Sequence, residues 1–72
     1  MGMSANEIDI VVNAEPLRVR GGTLADVLAQ LGYGEAKVAT ALNGDFVPER
    51  MRASTPVSPG DRVEIVSARQ GG

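Results

Sequence analysis

The 72-residue sequence contains no cysteine, no histidine and no tryptophan. These absences exclude disulfide bonds, thiolate nucleophiles, imidazole bases and most transition-metal sites. Aromatic side chains are scarce as well, since Tyr33 and Phe46 are the only two. The net charge is −2 and there is no basic stripe, so little in the sequence could neutralise phosphates or stack on bases. A nucleic-acid partner is therefore not expected.

Long apolar runs are also missing, and no segment approaches the length needed to cross a membrane. The sequence shows no signal peptide, and a small domain without cysteine is most simply cytoplasmic. A chain of this length forms one domain at most, which buries only roughly 60% of its unfolded surface. We therefore expect a small cytoplasmic domain without membrane contact and with little room for an enclosed active site.

The nine acidic residues show no recognisable catalytic pattern. None of them has a histidine, cysteine or serine–base partner at a spacing typical of an active site. The carboxylates of Glu7, Asp9, Glu15 and Glu35 are interpreted as parts of solvated faces and turns. The sequence therefore predicts that the chain is not itself an enzyme and binds no metal or cofactor of its own.

The N-terminal half predicts a hairpin followed by a helix. Residues 8–13 and 17–20 alternate in polarity, with the turn at residues 13–16 and with Ile8, Ile10 and Val12 facing inward. Gly21-Gly22 ends the second strand. A helix of about ten residues follows, with Thr23 and Asp26 at capping-box spacing and Gly32 or Gly34 at its end. Its apolar stripe consists of Leu24, Val27, Leu28 and Leu31.

The C-terminal half predicts three strands. Residues 38–42 form a buried strand, whose small Ala39 and Ala41 suit close approach of the helix. Asn43-Gly44 is a strong two-residue hairpin signal that leads into Phe46-Val47. Residues 49–57 are irregular, with one helical turn around residues 49–53. Residues 62–66 form the last strand, with Val63 and Ile65 inward.

The element order β-β-α-β-β-β predicts an α+β fold of the ubiquitin-like β-grasp type. We expect a mixed sheet of four to five strands with one main helix on one face, and the C-terminal strand in the centre beside the first strand. The domain is predicted to span residues 1–68. Residues 69–72 would form a flexible C-terminal tail ending in Gly-Gly.

The two diglycines call for different interpretations. Gly21-Gly22 lies between a strand and a helix cap, where backbone freedom is explanation enough. Gly71-Gly72 follows the last predicted strand, where no turn or helix cap requires glycine. The non-functional explanations are an arbitrary end or the remnant of a tag. A slim glycine tail can enter a narrow channel and present its carboxylate in another protein's active site. Once joined to AMP, that carboxylate would accept a sulfur or nitrogen nucleophile.

Three segments carry a family resemblance: residues 42–48 (LNGDFVP), 59–66 (PGDRVEIV) and 70–72 (QGG), supported by the helix from Thr23 to Leu31. With these segments the sequence resembles the ThiS family, the ubiquitin-like sulfur carriers of thiamine thiazole biosynthesis. The likeness extends from about Ile8 to Gly72. One departure is Met51, where relatives often have an aromatic residue, and it concerns packing or partner contact more than chemistry.

The resemblance implies a chemistry and a set of partners. A ThiF-type enzyme would use ATP with Mg to adenylate the carboxylate of Gly72. Sulfur from cysteine, delivered by a cysteine desulfurase or a similar donor, would then replace AMP and leave a thiocarboxylate. The thiazole synthase ThiG would take up that sulfur. Gly72 is then the reactive residue, Gly71 its slim neighbour, and Gln70 and Arg69 belong to the inserted tail.

Two alternatives remain open at this stage. A MoaD-like carrier for molybdopterin, or a carrier for another sulfur pathway, would share the fold and the ending. A non-covalent β-grasp adaptor would bind its partner through the sheet alone. For docking, alternation places Val11 and Val66 outward on adjacent strands, where Phe46 could join them in an apolar patch; ordinary scattered surface apolar residues are the competing interpretation.

Overall fold

The computed structural model describes residues 6–67, which form a β-grasp domain with one main helix. The strands and helices follow one another in the order that the sequence predicts, with two short strands in addition. The elements are β1 (Glu7–Val12), β2 (Glu15–Arg20), β3 (Gly22–Thr23), α1 (Leu24–Gln30), β4 (Val38–Leu42), β5 (Asp45–Val47), a 3₁₀ helix (Glu49–Ser54), β6 (Pro56–Val57) and β7 (Arg62–Ser67).

Within the described residues, five strands form a mixed sheet in the order β2-β1-β7-β4-β5. The pairs β1–β2, β4–β5 and β4–β7 are antiparallel, and β1–β7 is parallel. The predicted central position of the last strand beside the first is therefore confirmed. Among the described residues, β7 is both the central strand of the sheet and the last strand along the chain.

Both hairpins of the sheet turn on two residues with positive φ. Asn43 and Gly44 adopt φ values of 52° and 89°, as the sequence predicts. The first turn is tighter than predicted: only Asn13 and Ala14 form it, with φ of 50° and 72°. Glu15 and Pro16 already belong to β2, because two left-handed residues suffice to reverse a right-twisted strand pair.

Helix α1 begins at the predicted capping box. The backbone N–H of Asp26 donates to Thr23 Oγ1 (3.2 Å), and the backbone N–H of Thr23 donates to Asp26 Oδ2 (2.9 Å). The helix has seven residues instead of about ten, because Gly32 adopts φ 91° and ends it. The N–H of Tyr33 then donates to the carbonyl of Leu28 (2.8 Å), which satisfies an end of the helix as in a Schellman motif.

The core lies between α1 and the inner face of the sheet. Leu24 and Val27 are fully buried in it, as the helical stripe predicts. The other buried apolar side chains come mainly from the strands: Ile10, Val12, Val19, Leu28, Val47, Val57, Val63 and Ile65. Ile8 and Leu31 are partly buried and pack against this cluster. The inward positions predicted for β1 and β7 are confirmed.

The segment predicted as irregular is more regular than expected. Its helical turn is present as the 3₁₀ helix, and Pro56–Val57 then pairs with Gly22–Thr23 as a two-stranded sheet at the start of α1. Arg52 holds the 3₁₀ helix against β4, since its Nη2 donates to the carbonyl of Val38 (2.6 Å) and its Nε to Thr40 Oγ1 (3.1 Å). Two-residue strands have no periodicity, so no pattern in the sequence predicts this pair.

Candidate functional site: the open face of the sheet

The predicted site residues fall into two groups. Arg69, Gln70, Gly71 and Gly72 lie outside the described residues. Val11, Phe46 and Val66 are described, and all three are on strands of the five-stranded sheet. The geometry of the candidate site is therefore the geometry of the sheet face on which these three residues lie.

Strand β7 alternates between the two faces of the sheet. Val63 and Ile65 are buried under α1, with 1% and 6% exposure. Because successive side chains of a strand point to opposite faces, the residues between them point away from the helix. Val66 is accordingly 62% exposed, although it directly follows a core residue.

An apolar depression lies on this open face, across β7, β4 and β5. Ala41 is opposite Phe46 on one side and opposite Glu64 on the other, and Ala39 is opposite Val66. Phe46, which is 68% exposed, and Val66 thus flank two alanines. The resulting open-face groove has a volume of about 190 Å³ and is lined by Ala39, Thr40, Ala41, Phe46, Glu64 and Val66. Among residues 6–67, the one charged residue that lines the groove is Glu64.

Val11 is on the same face but does not belong to the groove. It is opposite Arg62 in the β1–β7 register, four residues before Val66 on β7. At about 3.3 Å per residue, the two positions are about 13 Å apart along the strand. Val11 is half-buried and is not among the groove residues. The structure therefore brings Phe46 and Val66 together and leaves Val11 at the far end of the face.

The floor of the groove corrects one expectation from the sequence. Ala39 and Ala41 were expected to face the helix, but they lie on the open face, and Thr40 between them is buried on the inner face with 2% exposure. The Thr40 hydroxyl donates to the carbonyl of Val47 (2.9 Å), so its polar group is satisfied in the core. The signal was present in the hairpin: a two-residue turn at Asn43-Gly44 pairs Ala41 with Phe46, and directly opposed residues share a face.

The titratable groups of the described residues show no catalytic arrangement. On the open face, the hydrogen bond from Arg18 Nε to Asp9 Oδ1 (2.9 Å), together with the Arg18 charge, lowers the pKa of Asp9. At the start of α1, hydrogen bonds from the backbone N–H and hydroxyl of Thr23 lower the pKa of Asp26. Both shifts favour the ionised form, so neither carboxyl is a proton donor near neutral pH. Residues 6–67 also contain no acidic cluster that could hold a metal ion.

A model of the ThiS family matches residues 10–72, which is most of the chain. This chain belongs to the ThiS family.

Two relatives are similar to this chain over nearly its whole length. The chain is 39% identical over 66 residues, or 85% of its length and 95% of the relative's, to the sulfur carrier protein ThiS of Thermus thermophilus. It is 31% identical over 71 residues to an uncharacterized protein of Porphyra purpurea, covering 97% of this chain and all of that one.

A solved ThiS structure has the same fold. The crystal structure of the thiamine biosynthesis protein ThiS from Geobacter metallireducens matches with a TM-score of 0.78 and 28% identity, over 90% of this chain and all of that one. The resemblance to the ThiS family and the β-grasp fold, both expected from the sequence, are thereby confirmed. Among the described residues, no helix has the length and apolar character to cross a membrane.

Proposed function

We propose that this chain is a sulfur carrier of thiamine biosynthesis, and that the C-terminal carboxylate of Gly72 carries the sulfur. The observation that carries the proposal is the family match, which runs through residues 10–72 and so includes the diglycine. The Thermus relative, described as a sulfur carrier protein, supports the same function. The chain acts in this scheme as a protein co-substrate, and the catalysts are its partners.

The proposed chemistry has three steps. A carboxylate oxygen of Gly72 attacks the α-phosphorus of ATP in a ThiF-type enzyme, which forms an acyl adenylate and releases pyrophosphate. The terminal sulfur of a persulfide, carried by a cysteine desulfurase or a similar donor, then attacks the glycyl carbonyl and expels AMP, which leaves an acyl disulfide. A thiol reduces its S–S bond, forms a disulfide with the donor's sulfur and releases the thiocarboxylate. ATP and Mg belong to the activating enzyme. The thiazole synthase ThiG is the proposed acceptor of the sulfur.

The tail residues have roles that follow from their size. Gly72 bears the reacting carbon, and Gly71 has no Cβ to obstruct a narrow channel or an attacking nucleophile. Gln70 and Arg69 connect the diglycine to the domain. Gly72 is the fifth residue after Ser67, so a fully extended chain spans at most about 18 Å between them. An enzyme that holds Gly72 in its active site must therefore cover the end of β7.

The open-face groove is the proposed docking surface for that enzyme. Val66 directly precedes Ser67, so the groove lies within the area that an enzyme bound to the tail would cover. Exposed Phe46 is the kind of aromatic anchor that dominates binding energy in protein interfaces. Since Glu64 is the one charged residue that lines the groove in the described part of the chain, the surface fits a partner with an apolar projection and a nearby cation.

Deletion of Gly72 tests the carrier proposal against a sheet-mediated adaptor. The measurement is ATP–pyrophosphate exchange catalysed by a ThiF-type enzyme, which requires a chain whose carboxylate reaches ATP. We expect the full chain to support exchange and the chain without Gly72 to lose it. A Val11→Ala variant, changed outside the groove and the tail, is the matched control and should support exchange like the full chain. Exchange that survives deletion of Gly72 would contradict the proposal.

A further inference from the structure

The side chain of Asn13 continues the β1–β7 ladder after β1 has ended. The backbone N–H of Asn13 donates to the carbonyl of Val63 (2.9 Å). One step further along β7, the backbone N–H of Ile65 donates to Asn13 Oδ1 (2.8 Å), and Asn13 Nδ2 donates to the carbonyl of Ile65 (3.1 Å). The carboxamide thus supplies the acceptor and the donor that a longer β1 would have supplied. The main-chain N–H and carbonyl of Ile65 are therefore both hydrogen-bonded to the Asn13 side chain.

Ser67 is the next residue of β7 to present its main chain on this side. Alternate residues of a strand direct N–H and C=O to the same neighbour, and Val63 and Ile65 direct theirs towards β1. Residues between them face β4, as shown by the N–H of Asn43 donating to the carbonyl of Arg62 (2.7 Å). Among residues 6–67, no strand lies beside Ser67 on the β1 side, because the chain turns away at Asn13.

The outer edge of β2 is less open to an added strand. Arg20 has its backbone N–H and carbonyl bonded to the Gln30 carboxamide, at 2.8 Å each. Pro16 has no N–H to donate, and it faces the same outer edge as Arg20 because the two are an even number of residues apart. The β2 edge is therefore interrupted at both of these positions.

The β5 edge is short. The strand has three residues, and Pro48, which has no N–H, follows it directly. Short edge strands and prolines are features by which proteins restrict strand addition at sheet edges. The main chain at Ser67 is not restricted in this way.

We propose that the enzyme that activates Gly72 adds an extended segment to β7 at Ser67, on the side that Asn13 leaves open. The Ser67 N–H would donate to a carbonyl of that segment, and the Ser67 carbonyl would accept from one of its N–H groups. The inference rests on the proposed function, because the partner is identified by its need to hold Gly72, five residues away. Recognition through the main chain is independent of the side chain at position 67, so the groove would supply the specificity.

Amide hydrogen exchange by NMR tests the added strand on the full chain, alone and with a ThiF-type enzyme. In the free protein we expect the Ser67 amide to exchange rapidly and the Val66 amide, which pairs with Ala39, to be protected. In the complex we expect at least tenfold slower exchange at Ser67. An unchanged Ser67 amide within the complex would overturn the proposal.

A pair of variants gives an independent test. Ser67→Pro removes the N–H that faces the open side but none of the bonds to β4, and we expect at least fivefold weaker binding to the enzyme. Ser67→Ala keeps the N–H and should bind like the parent chain. Equal affinity of both variants, each with an unchanged midpoint of thermal unfolding, would overturn the added strand.

The two proposals fail in different ways. Pyrophosphate exchange by a chain whose Ser67 stays unprotected would leave the carrier function standing and remove the added strand. Protection of Ser67 in a complex that shows no pyrophosphate exchange would remove the carrier function and leave the added strand.

Discussion

The two faces of the central sheet differ in what they contribute. The inner face, under α1, buries Val63 and Ile65 and provides most of the domain's apolar burial. The outer face keeps Phe46 and Val66 exposed, around a groove floored by alanines. Ile65 and Val66 are adjacent on one strand and similar in chemistry, but they point to opposite faces of the sheet. Ile65 therefore packs in the core and stabilises the fold, whereas Val66 stays exposed and is available to a partner. Substitutions on the two faces should therefore have separable effects.

The largest expected effect is on the inner face. Ile65→Ala removes a core side chain and leaves a cavity, which should lower the free energy of unfolding by about 3 kcal/mol. Val66→Ala, one residue further, should change it by less than about 0.5 kcal/mol because Val66 is exposed. Urea unfolding followed by circular dichroism measures both. Similar losses at the two positions would contradict the assignment of the faces.

The next effect is on the outer face and concerns binding. Phe46→Ala should weaken binding to a ThiF-type enzyme about tenfold, since an exposed aromatic anchor contributes on the order of 1.4 kcal/mol or more. The free energy of unfolding should stay within about 0.5 kcal/mol of the parent chain. Titration calorimetry gives the affinity. Val11→Ala on the same face is the control, and an equal loss there would show that the groove has no special role.

A smaller effect is expected from charge. Glu64→Lys reverses the charge in the groove lining and should weaken binding about threefold at low salt, with the difference shrinking as the ionic strength rises. The association rate, measured by stopped flow at two salt concentrations, is the sensitive quantity. Arg62→Glu, at the Val11 end of the face, should have less influence on it. Unchanged affinity of the Glu64→Lys variant would count against the groove as the docking surface.

The smallest effect concerns acid stability. The pKa of Asp26 is lowered from its ordinary value of 3.8, so its stabilising contribution is present above that value and is lost as the pH falls through the lower, folded-state pKa. Asp26→Asn should therefore flatten the stability profile below about pH 4. The pKa of Asp9 is also lowered, but by the exposed Arg18, and salt should weaken that contribution more. Acid unfolding of Asp26→Asn and Asp9→Asn at low and high salt measures the contrast.

The fold was predictable from local patterns because each main element has a local cause. The capping box at Thr23, the apolar stripe of α1 and the Asn43-Gly44 turn specify elements within a few residues of themselves. The β3–β6 pair was missed because two-residue strands have no periodicity. The inward assignment of Ala39 and Ala41 was wrong because small size fits either face, and only the hairpin register decides.

The site was predictable only in part, since its geometry depends on contacts between distant residues. Phe46 and Val66 line one groove only because β4 lies between their strands in one particular register. The Asn13 carboxamide is hydrogen-bonded to Ile65, 52 positions away, so no local sequence pattern predicts this bond. The roles of Gly71 and Gly72 stay predictions of the sequence and the family.

The most direct test of the carrier function is the intact mass of the protein after incubation with ATP, a ThiF-type enzyme and a sulfur donor. We predict a mass increase equal to the exchange of one oxygen for sulfur, present in the full chain and absent after deletion of Gly72. Phe46→Ala should slow the increase without abolishing it. An unchanged mass, under conditions in which the enzyme converts its own carrier, would contradict the assignment of Gly72 as the residue that carries sulfur.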